Sequence, residues 1–105
     1  MQQVVFHVDH SEQWPIAKKN LINLLGENIR LSLLVNGPAV KGYLSEENQD
    51  FFKTYGKRVE LFACHNSLNG LGIDERALPK NVTVVPIGVK KLIDLQEQGY
   101  AYIKP

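Results

Sequence analysis

The stretch "IRLSLLV", Ile29 to Val35, decides the fold. Only Arg30 and Ser32 interrupt an otherwise apolar run, so it lacks the strict alternation of a strand with one wet face. It reads as a strand covered on both faces, as in a parallel sheet flanked by helices. Asn36-Gly37-Pro38 breaks it, in a pattern that a simple turn would also give.

The flanking segments repeat one theme. Upstream, "QVVFHV" (Gln3 to Val8) is a second strand. After Asp9-His10-Ser11 a helical pattern runs from Gln13 to Leu25, with Trp14, Ala17, Leu21, Leu24 and Leu25 on one face and Gly26 as its stop. Downstream, Ser45 caps a helix with Glu46 and Glu47 in its first turn and Gly56 at its end. A strand over Arg58 to Ala63 follows. Leu68 to Pro79 reads as loop with a short helical turn at Asp74 to Leu78. A strand at "VTVVPI" (Val82 to Ile87) leads to a helix from Val89 to Gln98 with Val89, Leu92, Ile93 and Gln96 on one side. "YAYI" (Tyr100 to Ile103) closes the chain as a fifth strand. Strand then helix, four times over, predicts a single α/β domain over residues 1–105: a three-layer α/β/α sandwich, Rossmann or flavodoxin-like, with a mainly parallel five-stranded sheet and right-handed crossovers.

Composition excludes several function classes. The chain has 105 residues, enough for one buried core, and its 44% apolar and 22% charged residues are ordinary for a globular domain. Twelve basic residues against eleven acidic ones, interleaved, leave no footprint for nucleic acid. No apolar run reaches the roughly 20 residues a membrane helix needs, and none is placed as a signal peptide, so the expected compartment is the cytoplasm. Three histidines and one cysteine, scattered without ligand spacing, predict no metal site.

Chemistry in an open parallel sheet gathers outside the carboxyl ends of the strands. Here those ends are Asp9-His10, Asn36-Gly37, Cys64-His65-Asn66 and Pro86-Ile87-Gly88. The single cysteine falls on this rim. If "CHNSL" starts a helical turn, the amides around Asn66 and Ser67 favour a thiolate on Cys64, and His65 or His10 could supply a proton or positive charge. Packing is the rival reading of Cys64, since cysteine is among the most buried residue types. His7, between Phe6 and Val8, reads as a satisfied strand histidine. Asp9 and His10 form a weak candidate pair, because adjacent strand residues point to opposite faces. A papain-like or caspase-like protease needs a longer chain with its own signature. A low-molecular-weight phosphatase needs an arginine-bearing phosphate cradle, and none occurs before Arg76.

Five stretches taken in order, "VVFHVDHSEQW", "LLVNGPAV", "ELFACHNSL", "VVPIGV" and "LQEQGYAYIKP", make the whole chain resemble the DsrE/DsrF-like family, small proteins associated with intracellular sulfur oxidation and sulfur relay. The resemblance implies a Rossmann-like domain assembled into trimers or hexamers. It implies that Cys64 carries sulfur as a persulfide between donor and acceptor proteins without metal or organic cofactor. Asn66 and Ser67 match the small polar residues after that cysteine in one branch, and Asn36-Gly37 and Pro86-Gly88 match the loops flanking it. Asn66-Ser67 also departs from the sulfur-transferring subunits, which carry an Arg-Gly shortly downstream. The expected function is a sulfur carrier or sulfurtransferase-like protein. The alternatives are a binding module whose rim pocket Cys64 merely lines, and a single-cysteine redox sensor.

Overall fold

The computed structural model describes all 105 residues, Met1–Pro105. Five strands, β1 (Gln2–Val8), β2 (Ile29–Val35), β3 (Val59–Cys64), β4 (Val82–Val85) and β5 (Ala101–Ile103), form one sheet. Their order is β4-β3-β2-β1-β5, and every pairing is parallel. The helices are α1 (Trp14–Leu24), α2 (Glu46–Tyr55), α3 (His65–Gly70) and α4 (Gly88–Glu97), with a 3-10 helix at Gly37–Leu44. The predicted α/β class and the layer order are therefore those of the molecule.

Strand order dictates where the helices go. From β1 to β4 the chain steps in one direction across the sheet, so right-handed crossovers place α1, α2 and α3 on one face. The last crossover returns past β1 to β5, and the same handedness puts α4 on the other face. Packing follows this division. One cluster of 18 buried residues joins Val4, Phe6, Leu31, Leu33 and Leu61 to Trp14, Ala17, Leu21, Tyr43, Phe52 and Leu68. The second has seven, including Val5, Leu34, Phe62, Leu92 and Leu95. Residues of β2 enter both clusters, which is why "IRLSLLV" carries no alternation.

On the larger face, the Trp14 ring meets Tyr43 and Phe52 edge-on at 5.3 and 5.8 Å between centroids. Its indole N–H donates to the Ala39 carbonyl at 2.9 Å, so the polar end of the ring is satisfied inside the core. The Ser45 cap forms as predicted: its hydroxyl accepts from the Asn48 N–H at 3.1 Å.

Several sequence expectations are corrected. Asn36-Gly37-Pro38 is more than a turn, because it opens the 3-10 helix Gly37–Leu44, which buries Ala39, Val40 and Tyr43. Gly37 sits at φ +60°, a conformation that glycine takes without strain. Leu68 belongs to α3 and not to a loop. Strand β4 ends at Val85, since Pro86 has no N–H for the ladder. On α4 the inward residues are Leu92 and Leu95, whereas Val89 and Ile93 are half exposed. Of the predicted face Leu92 does turn inward, but its companion there is Leu95 and not Ile93.

Candidate active site

Strands β3 and β4 are neighbours whose following helices leave toward opposite faces, α3 to one and α4 to the other. Such a pair opens a crevice at the carboxyl edge of the sheet. Cys64, the last residue of β3, lies at this point, and Gly88, the first of α4, lies beside it.

The sulfur sits among hydrogen-bond donors. Gly88 N–H donates to Cys64 Sγ at 3.3 Å. The Ser67 hydroxyl and the backbone N–H groups of Ser67 and Asn66 also point to it. Burial pushes the thiol up, but these four donors outweigh it, and the thiol is held below its ordinary range. Two helix N-termini thus converge on one sulfur, which favours its anionic form. Ser67 is held in turn, because its Oγ accepts from Gly37 N–H at 2.8 Å. The loop after β2 therefore supports the loop after β3.

Position 88 is tightly enclosed. A Cβ there would stand 3.0 Å from Cys64 Cβ and 3.4 Å from Asn36 Cβ. Asn36, Cys64 and Gly88 hence meet at one point of the rim, as the strand-end pattern predicts. Cys64 itself is 6% exposed, so the thiol is recessed beneath the rim.

The remaining candidates lie elsewhere. His65 leaves the sulfur and pairs with Glu75 at 3.2 Å. His10 pairs with Asp9 at 2.7 Å, although the alternation of a strand argues against it. Both residues lie beyond β1, which ends at Val8, so that alternation no longer applies to them. Asp9 also binds Lys104 at 2.7 Å. The Lys104 hydrogen bond is the largest influence on the Asp9 carboxyl; with His10 it overcomes burial and lowers the pKa to about 2. Pro86 is exposed at the rim. No cluster of His, Cys, Asp and Glu has the shape of a metal site.

Two polar groups on the α4 face escape a reading by motif. Ser32 and Tyr100 donate to Glu60 Oε1 at 2.5 and 2.8 Å. His7, Tyr102 and Asn36 form the other, nearer the cysteine. Strand parity is the signal that could have found them: Ser32, Leu34 and Asn36 share a face, as do Glu60, Phe62 and Cys64.

With this geometry in place, comparison with known proteins gives a consistent result. No curated protein matches the chain. A solved structure described as a protein of unknown function, MTH1491 from Methanobacterium thermoautotrophicum, is similar at a TM-score of 0.89 and 31% identity, covering 100% of both chains. The family model of the DsrE/DsrF-like family matches residues 21–105, which takes in β2, Cys64, Gly88 and β5. The chain belongs to the DsrE/DsrF-like family.

Proposed function

We propose that the protein is a sulfur carrier that holds sulfur as a persulfide on Cys64. The observation that carries this reading is the donor ring around Sγ, formed by Ser67, Asn66 and Gly88 at the switch point of the sheet. Family membership adds a sulfur-relay role at the family level.

In the loading step the Cys64 thiolate attacks the outer sulfur of a donor persulfide, R–S–SH. A new S–S bond forms to Cys64, the donor's own S–S bond breaks, and the donor leaves as a thiolate. In the second step an acceptor thiolate attacks the outer sulfur of Cys64-S–SH. The electron pair returns to Cys64, which the same donors stabilise as leaving group. Neither step needs a net oxidant, a metal or an organic cofactor. The thiol is recessed, so the donor must bring its sulfur in on a slim arm, the shape of a cysteine persulfide. A reducing compartment such as the cytoplasm suits this chemistry, because it keeps Cys64 free.

The chain also suits a homo-oligomer, a trimer or hexamer. Ile87, Val89 and Ile93 present apolar surface beside the rim. Light scattering on the purified chain tests this, and a monomer at micromolar concentration contradicts it. For sulfur loading, intact mass after incubation with a low-molecular-weight persulfide should rise by one sulfur, and Cys64→Ser should not. Absence of the adduct across several donors contradicts the carrier reading.

A further inference from the structure

The polar side chains on the α4 face form a diagonal that climbs toward the cysteine. Val5 pairs with Tyr102 across β1 and β5, and His7 lies two residues further along the same face of β1. His7 pairs with Leu34 on β2, and Asn36 lies two residues beyond Leu34. Val35 pairs with Ala63, which sets Asn36 beside Cys64. The rows rise by two residues from β5 to β1 and by two more from β1 to β2, and Asn36 then stands level with Cys64 on β3.

Hydrogen bonds join the first three members. His7 Nε2 lies 2.8 Å from Asn36 Oδ1, and His7 Nδ1 lies 2.6 Å from the Tyr102 hydroxyl. A carbonyl oxygen only accepts, so Nε2 bears the proton and donates it to Asn36 Oδ1. In a neutral ring Nδ1 then accepts from the Tyr102 O–H. His7 is 7% exposed, and the Tyr102 ring packs against it at 5.6 Å between centroids. The Asn36 carbonyl is thereby occupied, and its Nδ2 makes no hydrogen bond within the protein.

We infer that Tyr102 and His7 are positioning residues that lock the Asn36 carboxamide with its NH2 group toward the sulfur site, where it donates to the outer sulfur of Cys64-S–SH once that sulfur is loaded. The inference deepens the carrier reading and rests on it. It assigns a task to the C-terminal strand, whose neighbours tie the same rim. Lys104 binds Asp9 at 2.7 Å, and the Pro105 carbonyl accepts from Gln13 at 3.1 Å. The bridging sulfur of the persulfide is already served by Ser67, Asn66 and Gly88, whereas the outer sulfur has no other donor assigned to it.

Nitrogen NMR of the His7 ring in the full chain tests the orientation without any sulfur donor. The neutral ring should carry its proton on Nε2, and Tyr102→Phe should erode that preference. A proton on Nδ1 overturns the inference, since Nε2 would then accept from the Asn36 amide and the carbonyl oxygen would face the sulfur. The second arm is kinetic, on the wild type, Asn36→Asp and Tyr102→Phe, each checked for native near-UV circular dichroism. Asn36→Asp keeps an acceptor for His7 but replaces the free donor with negative charge. It should slow both iodoacetamide alkylation and loading from glutathione persulfide about tenfold or more, and Tyr102→Phe should slow them severalfold. Unchanged alkylation and loading in Asn36→Asp overturn the inference and leave the carrier reading standing. A wild type that alkylates but never loads contradicts the carrier reading, while the ring tautomer still decides the orientation of Asn36. Should Asn36→Asp fail to fold, the ring tautomer remains decisive.

Discussion

The two faces of the sheet are built for different ends. The face under α1, α2, α3 and the 3-10 helix Gly37–Leu44 holds an 18-residue core with the Trp14, Tyr43 and Phe52 rings at its centre. The face under α4 alone buries a cluster of seven residues, and beside them it carries polar side chains that include His7, Ser32, Asn36, Glu60 and Tyr102, together with Cys64. Three helices are more than enough to cover four strands, and one is not. The shortfall on the second face leaves room for polar groups near water, where hydrogen bonds to sulfur can form without a packing penalty. Stability and chemistry therefore share strands and divide the sides, except that α3 of the first face supplies donors to the sulfur at the rim.

Breaking the first face should cost the most. Trp14→Ala removes two edge-on ring contacts and the bond to the Ala39 carbonyl, and should lower unfolding free energy by about 3–5 kcal/mol in urea titration. The alkylation rate of Cys64 in the folded fraction should stay as in the wild type. A parallel change in thiol reactivity would show that the faces are coupled. Gly42 gives a matched probe, since a Cβ there would meet the Trp14 ring nitrogen at 2.0 Å. Gly42→Ala should destabilise by about 1–3 kcal/mol through overpacking, whereas Gly88→Ala should act chiefly on the thiol by displacing its amide donor.

Ser67→Ala strikes the sulfur site from α3. It removes one donor to Sγ and strands the Gly37 N–H. Alkylation at neutral pH should fall severalfold, and stability should fall by about 1 kcal/mol in the same urea titration.

What the sequence disclosed follows the same division. The large face was legible because burial is written in periodicity: Trp14, Ala17 and Leu21 step along α1, and all three are buried. The position of Cys64 at the carboxyl edge of the sheet was legible too, because strand ends can be counted. The diagonal from Tyr102 to Asn36 was not. It depends on strand order, and nothing local says that β5 returns to lie beside β1. His7 was rightly read as a satisfied histidine, yet its partners are 95 and 29 residues away. The outward face of α4 misled because Val89 and Ile93 are apolar without being inside the chain's own core.

The electrostatic predictions are smaller. The Cys64 thiol titrates lower folded than unfolded, so between its folded pKa and about 8.5 the unfolded chain holds more protons and stability rises with pH. Wild type should gain over Cys64→Ala across that window and level off above it, as read by thermal melts at each pH. A flat difference would mean that the thiol is not perturbed. Asp9 has the same sign at the acid end. Its contribution is present above about pH 4 and fades as pH falls toward about 2. The pair with Lys104 is well solvated, so Asp9→Asn should cost under about 1 kcal/mol at neutral pH, a difference that disappears as pH falls through about 2.

The central claim is that the ring of donors makes Cys64 an activated thiol, and the pH dependence of its alkylation by iodoacetamide in the folded protein tests that most directly. An apparent pKa clearly below the ordinary value of about 8.5 is the predicted result. A pKa at or above that value, or no reaction until the protein unfolds, would contradict it.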